Sequence, residues 1–241
     1  MTVQSTPGRQ RYPPRLPPHL GRSTAMYIGA AAPRLPDSEA ARLLAYQRPG
    51  DYDTLTHAFQ FFRRMIVEAL PLRPGDVVLD VGCGTGLCFS MLLEKVGPRG
   101  RIVGIDASPV MMAAARERMA HAGWRNITLV QSSLIEAPIP LRADAALFCA
   151  VHDILRSPQA LRTVVDNLRP GAWVTAGGGK WAAPWMVALN LQVAALHAPF
   201  VHSFEGFDRP WSHLEHLISH LHVHELALGS GYVATGRVPC A

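Results

Sequence analysis

Three glycines at alternate positions, Gly82, Gly84 and Gly86, follow an apolar run and an acid in "VLDVGCGTGL", residues 78 to 87. Bare backbone at that density lets a chain turn tightly and lets a ligand approach the main chain without meeting a Cβ. A second acid, Asp106, ends the next apolar run in "GIDAS". A carboxylate there has acceptor capacity for both hydroxyls of a ribose. A dinucleotide does not fit the spacing, because G-x-G-x-x-G would need glycine at 87 and the residue is Leu87. No G-K-[ST] follows either, which excludes a P-loop. Asp80, directly before the glycines, is a poor neighbour for a pyrophosphate and a good one for an amino-acid ammonium. A ribose joined to a cationic amino-acid end describes S-adenosylmethionine.

A second group of residues could act on whatever lies beside that ligand. His152 and Asp153 follow the apolar run "ADAALFCAV", where an imidazole that titrates near neutral pH could take a proton and the acid could orient it. Seven of the eleven histidines lie beyond residue 190. His213 and His216, and then His220, His222 and His224, have spacings that could ligate zinc. No cysteine lies near them, there is no HExxH, and the leucines of "SHLEHLISHLHVHEL" take the inward face. A solvated face is therefore expected there, and no metal. His197 and His202 lie in a different segment and are candidates to touch substrate.

These residues need a frame. "DVVLDVG", "RIVGIDAS", "NITLVQSS", "ADAALFCAVHD" and "GAWVTAGGGK" are apolar runs with helical stretches between them, at 87 to 96, 109 to 122 and 158 to 168. Strands without polar alternation are buried on both faces, so the repetition predicts a parallel sheet with helices on both sides. "HVHELALGSGYVATGRV" predicts a terminal antiparallel hairpin that turns at Gly229 to Gly231. The fold class expected is α/β, a Rossmann-like doubly wound sheet, mostly parallel, finished by that hairpin. "YDTLTHAFQFFRRMIVEALPL", 52 to 72, has helical periodicity. "SEAARLLAYQ", 38 to 47, predicts a short helix behind a Ser N-cap.

Residues 1 to 38 hold seven of the twenty prolines, and Arg9, Arg11, Arg15, Arg22 and Arg34 precede the first acid, Asp37. They predict a Pro/Arg-rich flexible arm, and a single domain built on the sheet would occupy 39 to 241. Those five arginines carry most of the net charge of +5, and there they could attract nucleic acid or anionic lipid. From Trp181 to Phe204 there is no charged residue, but Pro184, Asn190, Gln192, His197 and Pro199 interrupt the run. A cap or lid over the domain, at about 181 to 222, is the expectation rather than a membrane span. The four cysteines form no paired framework, and no secretory leader is evident, so a cytoplasmic setting is expected.

"VLDVGCGTG" with "VGIDASPVMMAAARER", the "LRPGAWV" turn and the terminal hairpin together resemble the class I S-adenosylmethionine-dependent methyltransferases. The likeness covers roughly residues 50 to 180 and is nearest to the small-molecule branch, which includes quinone C-methyltransferases and phospholipid N-methyltransferases. It implies that Asp80, Gly82, Cys83, Gly84 and Gly86 line the methionine and ribose, and that Asp106 holds the ribose diol. Ala107, Ser108 and Met111 would pack the adenosine. Ser132 and Ser133 would follow, with Ser133 standing where many relatives have Asp. Cys149 and Tyr52 would complete the cofactor site, while His152, Trp181, His197 and His202 would face a small apolar acceptor.

Such a transfer is a direct displacement. It gains chiefly from alignment, worth effective molarities of about 10^5 M or more, and from exclusion of water. An anionic membrane surface is a second partner to consider, and a homodimer is left open. A non-catalytic scaffold of the same fold is the rival from another class. Nucleic acid is not expected, because N/D-P-P-[YFW] and a Pro-Cys nucleophile motif are absent.

Overall fold

The computed structural model describes residues 49–240. The arm at 1 to 38 and the expected helix at 38 to 47 lie outside the described residues. In chain order the elements are α1 Pro49–Leu55, α2 Gln60–Ala69, β1 Val77–Val81, α3 Phe89–Val96, β2 Arg101–Asp106, α4 Pro109–Ala122 and β3 Ile127–Gln131. Then come β4 Ala143–Cys149, α5 His152–Leu155, α6 Pro158–Asp166, β5 Leu168–Gly179, α7 Val187–His197, β6 Ser219–Leu226 and β7 Gly231–Arg237.

The strands form one seven-stranded sheet in the order β3-β2-β1-β4-β5-β7-β6. β1 to β5 pair in parallel, and β7 joins β5 and β6 antiparallel. The strands alternate between two apolar layers, as period-two geometry requires. Leu79, Val103 and Phe148 pack on one face with Leu161 and Val164 of α6. Val78, Ile102 and Leu147 pack on the other with Ile66 of α2, Leu92 of α3 and Met112 of α4. Both faces are covered, which is why these runs carry no polar alternation.

Local chemistry starts the helices where the strands end. Ser108 caps α4, its Oγ accepting from the Met111 N–H at 3.3 Å, with Pro109 at the first helical position and Gly123 closing the helix at φ +67°. Ser157 and Pro158 repeat the device at α6.

The periodic stretch 52 to 72 is not one helix. It breaks at Thr56, a 3-10 turn spans His57–Phe59, and α2 begins at Gln60. Its two ends are anchored to different parts of the molecule. Asp53 binds Thr85 and Arg118, whereas Ile66 seats on Gly177 of β5, where a Cβ would lie 2.5 Å from its Cγ1. The uncharged 181 to 204 stretch also contracts, to the eleven residues of α7. Asn190 folds its approach back, accepting from Ala182 N–H (2.9 Å) and donating to the carbonyls of Ala182 and Ala183. Among the described residues, no helix is long and apolar enough to cross a membrane.

Candidate active site

The strand order reverses between β1 and β4, and a crevice at such a switch point is where doubly wound sheets bind ligands. Its first wall is the glycine loop after β1. The three glycines all have positive φ, but their surroundings differ. A Cβ on Gly82 would lie 2.6 Å from Val151 Cγ1, and one on Gly86 would lie 2.4 Å from the Phe89 ring. A Cβ on Gly84 would meet nothing within 4 Å. Gly82 and Gly86 are thus required by packing, and Gly84 is the one that faces open space.

Asp106 sits across the loop at the tip of β2. Its Oδ2 accepts from the Gly84 N–H at 2.9 Å and its Oδ1 from the Ser108 N–H at 2.8 Å. Burial pushes its pKa up, and these two hydrogen bonds pull it back. Each oxygen keeps a lone pair for a ligand hydroxyl. The Ser132 N–H donates to the Asp106 carbonyl at 3.1 Å, which brings Ser132 and exposed Ser133 to the same rim, beside exposed Ala107. Met111 and Cys83 turn inward: both are buried, and Cys83 Sγ lies 3.9 Å from Met112 Sδ.

Asp80 is buried under the loop, and its Oδ2 has no hydrogen-bond partner. Burial, reinforced by the charge of Asp106, raises its pKa to about 7, against the pull of Arg63. An orphaned carboxylate oxygen is costly to keep. A cationic ligand group would satisfy it. Together with the free lone pairs of Asp106 and the open face of Gly84, these residues fit an adenosyl amino acid.

The second wall is an apolar cavity of about 420 Å³ at the tips of β4 and β5. Tyr52, Thr56, Cys149, His152, His197 and Phe207 are among its lining residues. Ala150, at the tip of β4, is held at φ +58° with its N–H donated to the Gly177 carbonyl at 2.8 Å. An L-residue in that conformation is strained, and such strain gathers at functional sites. Gly177, Gly178 and Gly179 at the end of β5 let neighbours sit directly on the strand. A Cβ on Gly179 would lie 2.1 Å from Nε2 of His197.

Two imidazoles flank the ring of Phe207, His152 at 4.9 Å and His197 at 5.4 Å between centroids. His152 is 7% exposed, and its Nε2 lies 3.0 Å from the Glu205 carbonyl. A carbonyl can only accept, so Nε2 carries the proton. Burial holds the pKa of His152 below the ordinary histidine value. The ring is therefore neutral and Nδ1 is a bare acceptor, buried and without a partner. His197 is arranged the same way with the nitrogens exchanged: Nδ1 donates to the Val193 carbonyl at 2.9 Å, and burial lowers the pKa.

The remaining sequence candidates fall elsewhere. The two oxygens of Asp153 accept from the His202 N–H at 3.1 and 3.2 Å, and its charge acts on His152 against the effect of burial. The His202 side chain is 70% exposed. Trp181 packs on Phe204 and Phe207, at 4.9 and 5.2 Å, and so supports the cavity wall from behind. None of the three is among the cavity's lining residues. His220, His222 and His224 are exposed on the edge strand β6. Sequence reasoning missed Thr56, the triple glycine of β5 and Phe207. Only "GGG" carried a signal, as backbone approached closely at a strand tip.

A family model described as "Methyltransferase domain" matches residues 78–171, from β1 through the start of β5. Among curated proteins, an uncharacterized 37.1 kDa protein in transposon TN4556 of Streptomyces fradiae is 33% identical over 152 residues, covering 61% of this chain and 42% of the relative. The demethylmenaquinone methyltransferase of Listeria monocytogenes serotype 4a is 28% identical over 127 residues, covering 50% of this chain and 54% of the relative. The chain thus spans about half the length of the curated relatives it matches.

A SAM-dependent methyltransferase from Aquifex aeolicus aligns in structure with TM-score 0.53 at 19% identity, over 84% of this chain and 98% of that one. The N-methyltransferase NodS from Bradyrhizobium japonicum WM9 aligns with TM-score 0.51 at 14% identity, over 78% of this chain and 99% of that one. At these identities the two structures show a shared fold. The family match spans the glycine loop, the Asp106 turn and the tip of β4, so this part of the chain is similar to methyltransferase domains, and the fold is the one shared by S-adenosylmethionine-dependent methyltransferases.

Proposed function

We propose that this protein methylates a small, largely apolar acceptor held in the 420 Å³ cavity beside the cofactor crevice. One observation carries the reading. Thr56 Oγ1, Asp80 Oδ2 and His152 Nδ1 are the buried side-chain polar atoms without a partner among the described residues, and all three lie at this crevice or its cavity. Buried polar groups are satisfied in folded proteins, so such a cluster calls for ligands.

Asp106 holds the ribose hydroxyls, Gly84 gives the backbone clearance, and Asp80 faces the ammonium. When bound, S-adenosylmethionine supplies a methyl group on a sulfonium, open to direct displacement by a nucleophile. The protein's part is alignment and exclusion of water. α7 roofs the cavity as a lid, with Val193 and His197 directed inward. His152 Nδ1 takes the proton of an acceptor that must lose one, and His197 presents a second acceptor nitrogen across Phe207. The name of the Listeria relative suggests a ring of quinone type as one class of acceptor.

A second reading, delivery of the acceptor from a membrane surface, is favoured by the outward side of the lid. Trp185 is 74% exposed, with Val187 and Leu191 also exposed beside it.

Transfer of labelled methyl groups from S-adenosylmethionine into cell extract fractions tests both readings. Label is expected in the small-molecule fraction, lost in His152→Ala and in Asp106→Ala. Label confined to nucleic acid or protein, or none above the Asp106→Ala control, would contradict the proposal.

A further inference from the structure

α1 buries no residue in the core, yet it touches both halves of the site. Tyr52 and Thr56, one helical turn apart, line the acceptor cavity, and the Tyr52 ring stands edge-on to Phe200 at 5.6 Å. Asp53, the residue between them in direction, turns the other way. Its Oδ1 accepts from the Thr85 hydroxyl at 2.6 Å, and its Oδ2 accepts from Arg118. Arg118 closes the ring by donating its Nε–H to the Thr85 carbonyl at 2.8 Å. Thr85 is 1% exposed and lies between Gly84 and Gly86, adjacent to the N–H that orients Asp106.

We propose that Asp53 is a positioning residue that couples the cofactor loop to the acceptor cavity. Cofactor binding fixes the glycine loop, Thr85 and Arg118 then fix Asp53, and α1 is held where Tyr52 and Thr56 face the acceptor. The residues of α1 are not part of the buried core, so loss of the Asp53 anchor frees the element locally without unfolding the sheet. The Asp53–Arg118 pair is about one third exposed and adds little to global stability by itself. Its effect lies in where it places the neighbouring residue. This coupling rests on the reading that the crevice holds the cofactor and the cavity the acceptor. By linkage, an acceptor that needs α1 in place binds better once the cofactor is present.

The test is hydrogen exchange of the amides of residues 50–59, with and without S-adenosylhomocysteine, alongside titration calorimetry of the same ligand. In the wild type the ligand should slow exchange there by about fivefold or more. In Asp53→Ala the slowing should vanish, while ligand affinity changes by less than about threefold. Asp53→Asn keeps an acceptor for Thr85 and loses the charge on Arg118, so it should retain part of the slowing. Arg118→Ala should behave like Asp53→Ala. Undiminished slowing in Asp53→Ala overturns the coupling, as does a wild type that binds the ligand with no slowing at 50–59. A wild type that fails to bind the ligand overturns the cofactor reading itself, and the coupling with it.

Discussion

The cofactor wall and the acceptor wall of the crevice are built on different plans. The cofactor wall is made by two consecutive strand tips, and its contacts are backbone N–H groups meeting carboxylates: Gly84 and Ser108 on Asp106, with Asp80 beneath. The acceptor wall draws side chains from distant segments, among them Thr56, His152, His197 and Phe207, closed over glycines 177 to 179. Main-chain contacts are indifferent to much of the sequence around them, so the first wall, in the proposed reading, selects its ligand by geometry. The second recognises by side-chain identity and can be altered one residue at a time. Substitutions in the two walls should therefore have separable effects.

The largest effect is expected on the acceptor wall. His152→Ala should lower turnover by about 100- to 10,000-fold, the range for loss of a positioned base, with cofactor affinity by calorimetry unchanged. An equal loss of affinity would merge the two walls. Because burial lowers the pKa of His152, its ring stays neutral through the ordinary histidine range, and turnover should fall only as pH drops below that range.

Within the cofactor wall, the glycines should separate by their packing. Gly82→Ala should cost roughly 2–3 kcal/mol in denaturant unfolding, since it adds a clash with Val151 to the strain of a positive φ. Gly84→Ala bears the conformational strain alone, about 1 kcal/mol. Asp106→Ala should weaken S-adenosylmethionine binding by about 1.5–3 kcal/mol, the scale for hydrogen bonds to a charged group, with little change in stability.

Asp80 should show opposite signs in the two measurements. Its folded pKa of about 7 lies above the ordinary carboxylate value, so its contribution to stability is fully present below pH ~4 and is lost as pH rises through 7. Asp80→Asn should therefore stabilise the ligand-free protein at pH 8 by about 1–3 kcal/mol while weakening cofactor binding. In the wild type, affinity should rise about tenfold from pH 5.5 to 7, as the carboxylate ionises ahead of the ligand's own ammonium. A flat profile would remove Asp80 from the site.

The same contrast governs what the sequence revealed. β1, the glycine turn and β2 lie within thirty residues of chain, and their spacing alone marked Asp80, Gly84 and Asp106 as neighbours at one loop. The five apolar runs became five parallel strands, and "HVHELALGSGYVATGRV" the antiparallel pair, because burial on both faces leaves a direct trace in composition. The acceptor wall left no such trace. His197 and His202 look alike in sequence, yet one is seated on Gly179 and the other is exposed, a difference set by how α7 packs. Thr56 is one hydroxyl among many until the break between α1 and α2 turns it into the cavity. The helical periodicity of 52 to 72 was real, but it could not show that Asp53 and Ile66 are anchored in different places.

A crystal structure with S-adenosylhomocysteine bound tests the central claim most directly. The ribose hydroxyls are expected on the Asp106 carboxylate, the amino group toward Asp80, and the sulfur opening on the cavity that holds His152. A crevice that stays empty at saturating ligand, or an adenosine placed away from Asp106, would contradict it.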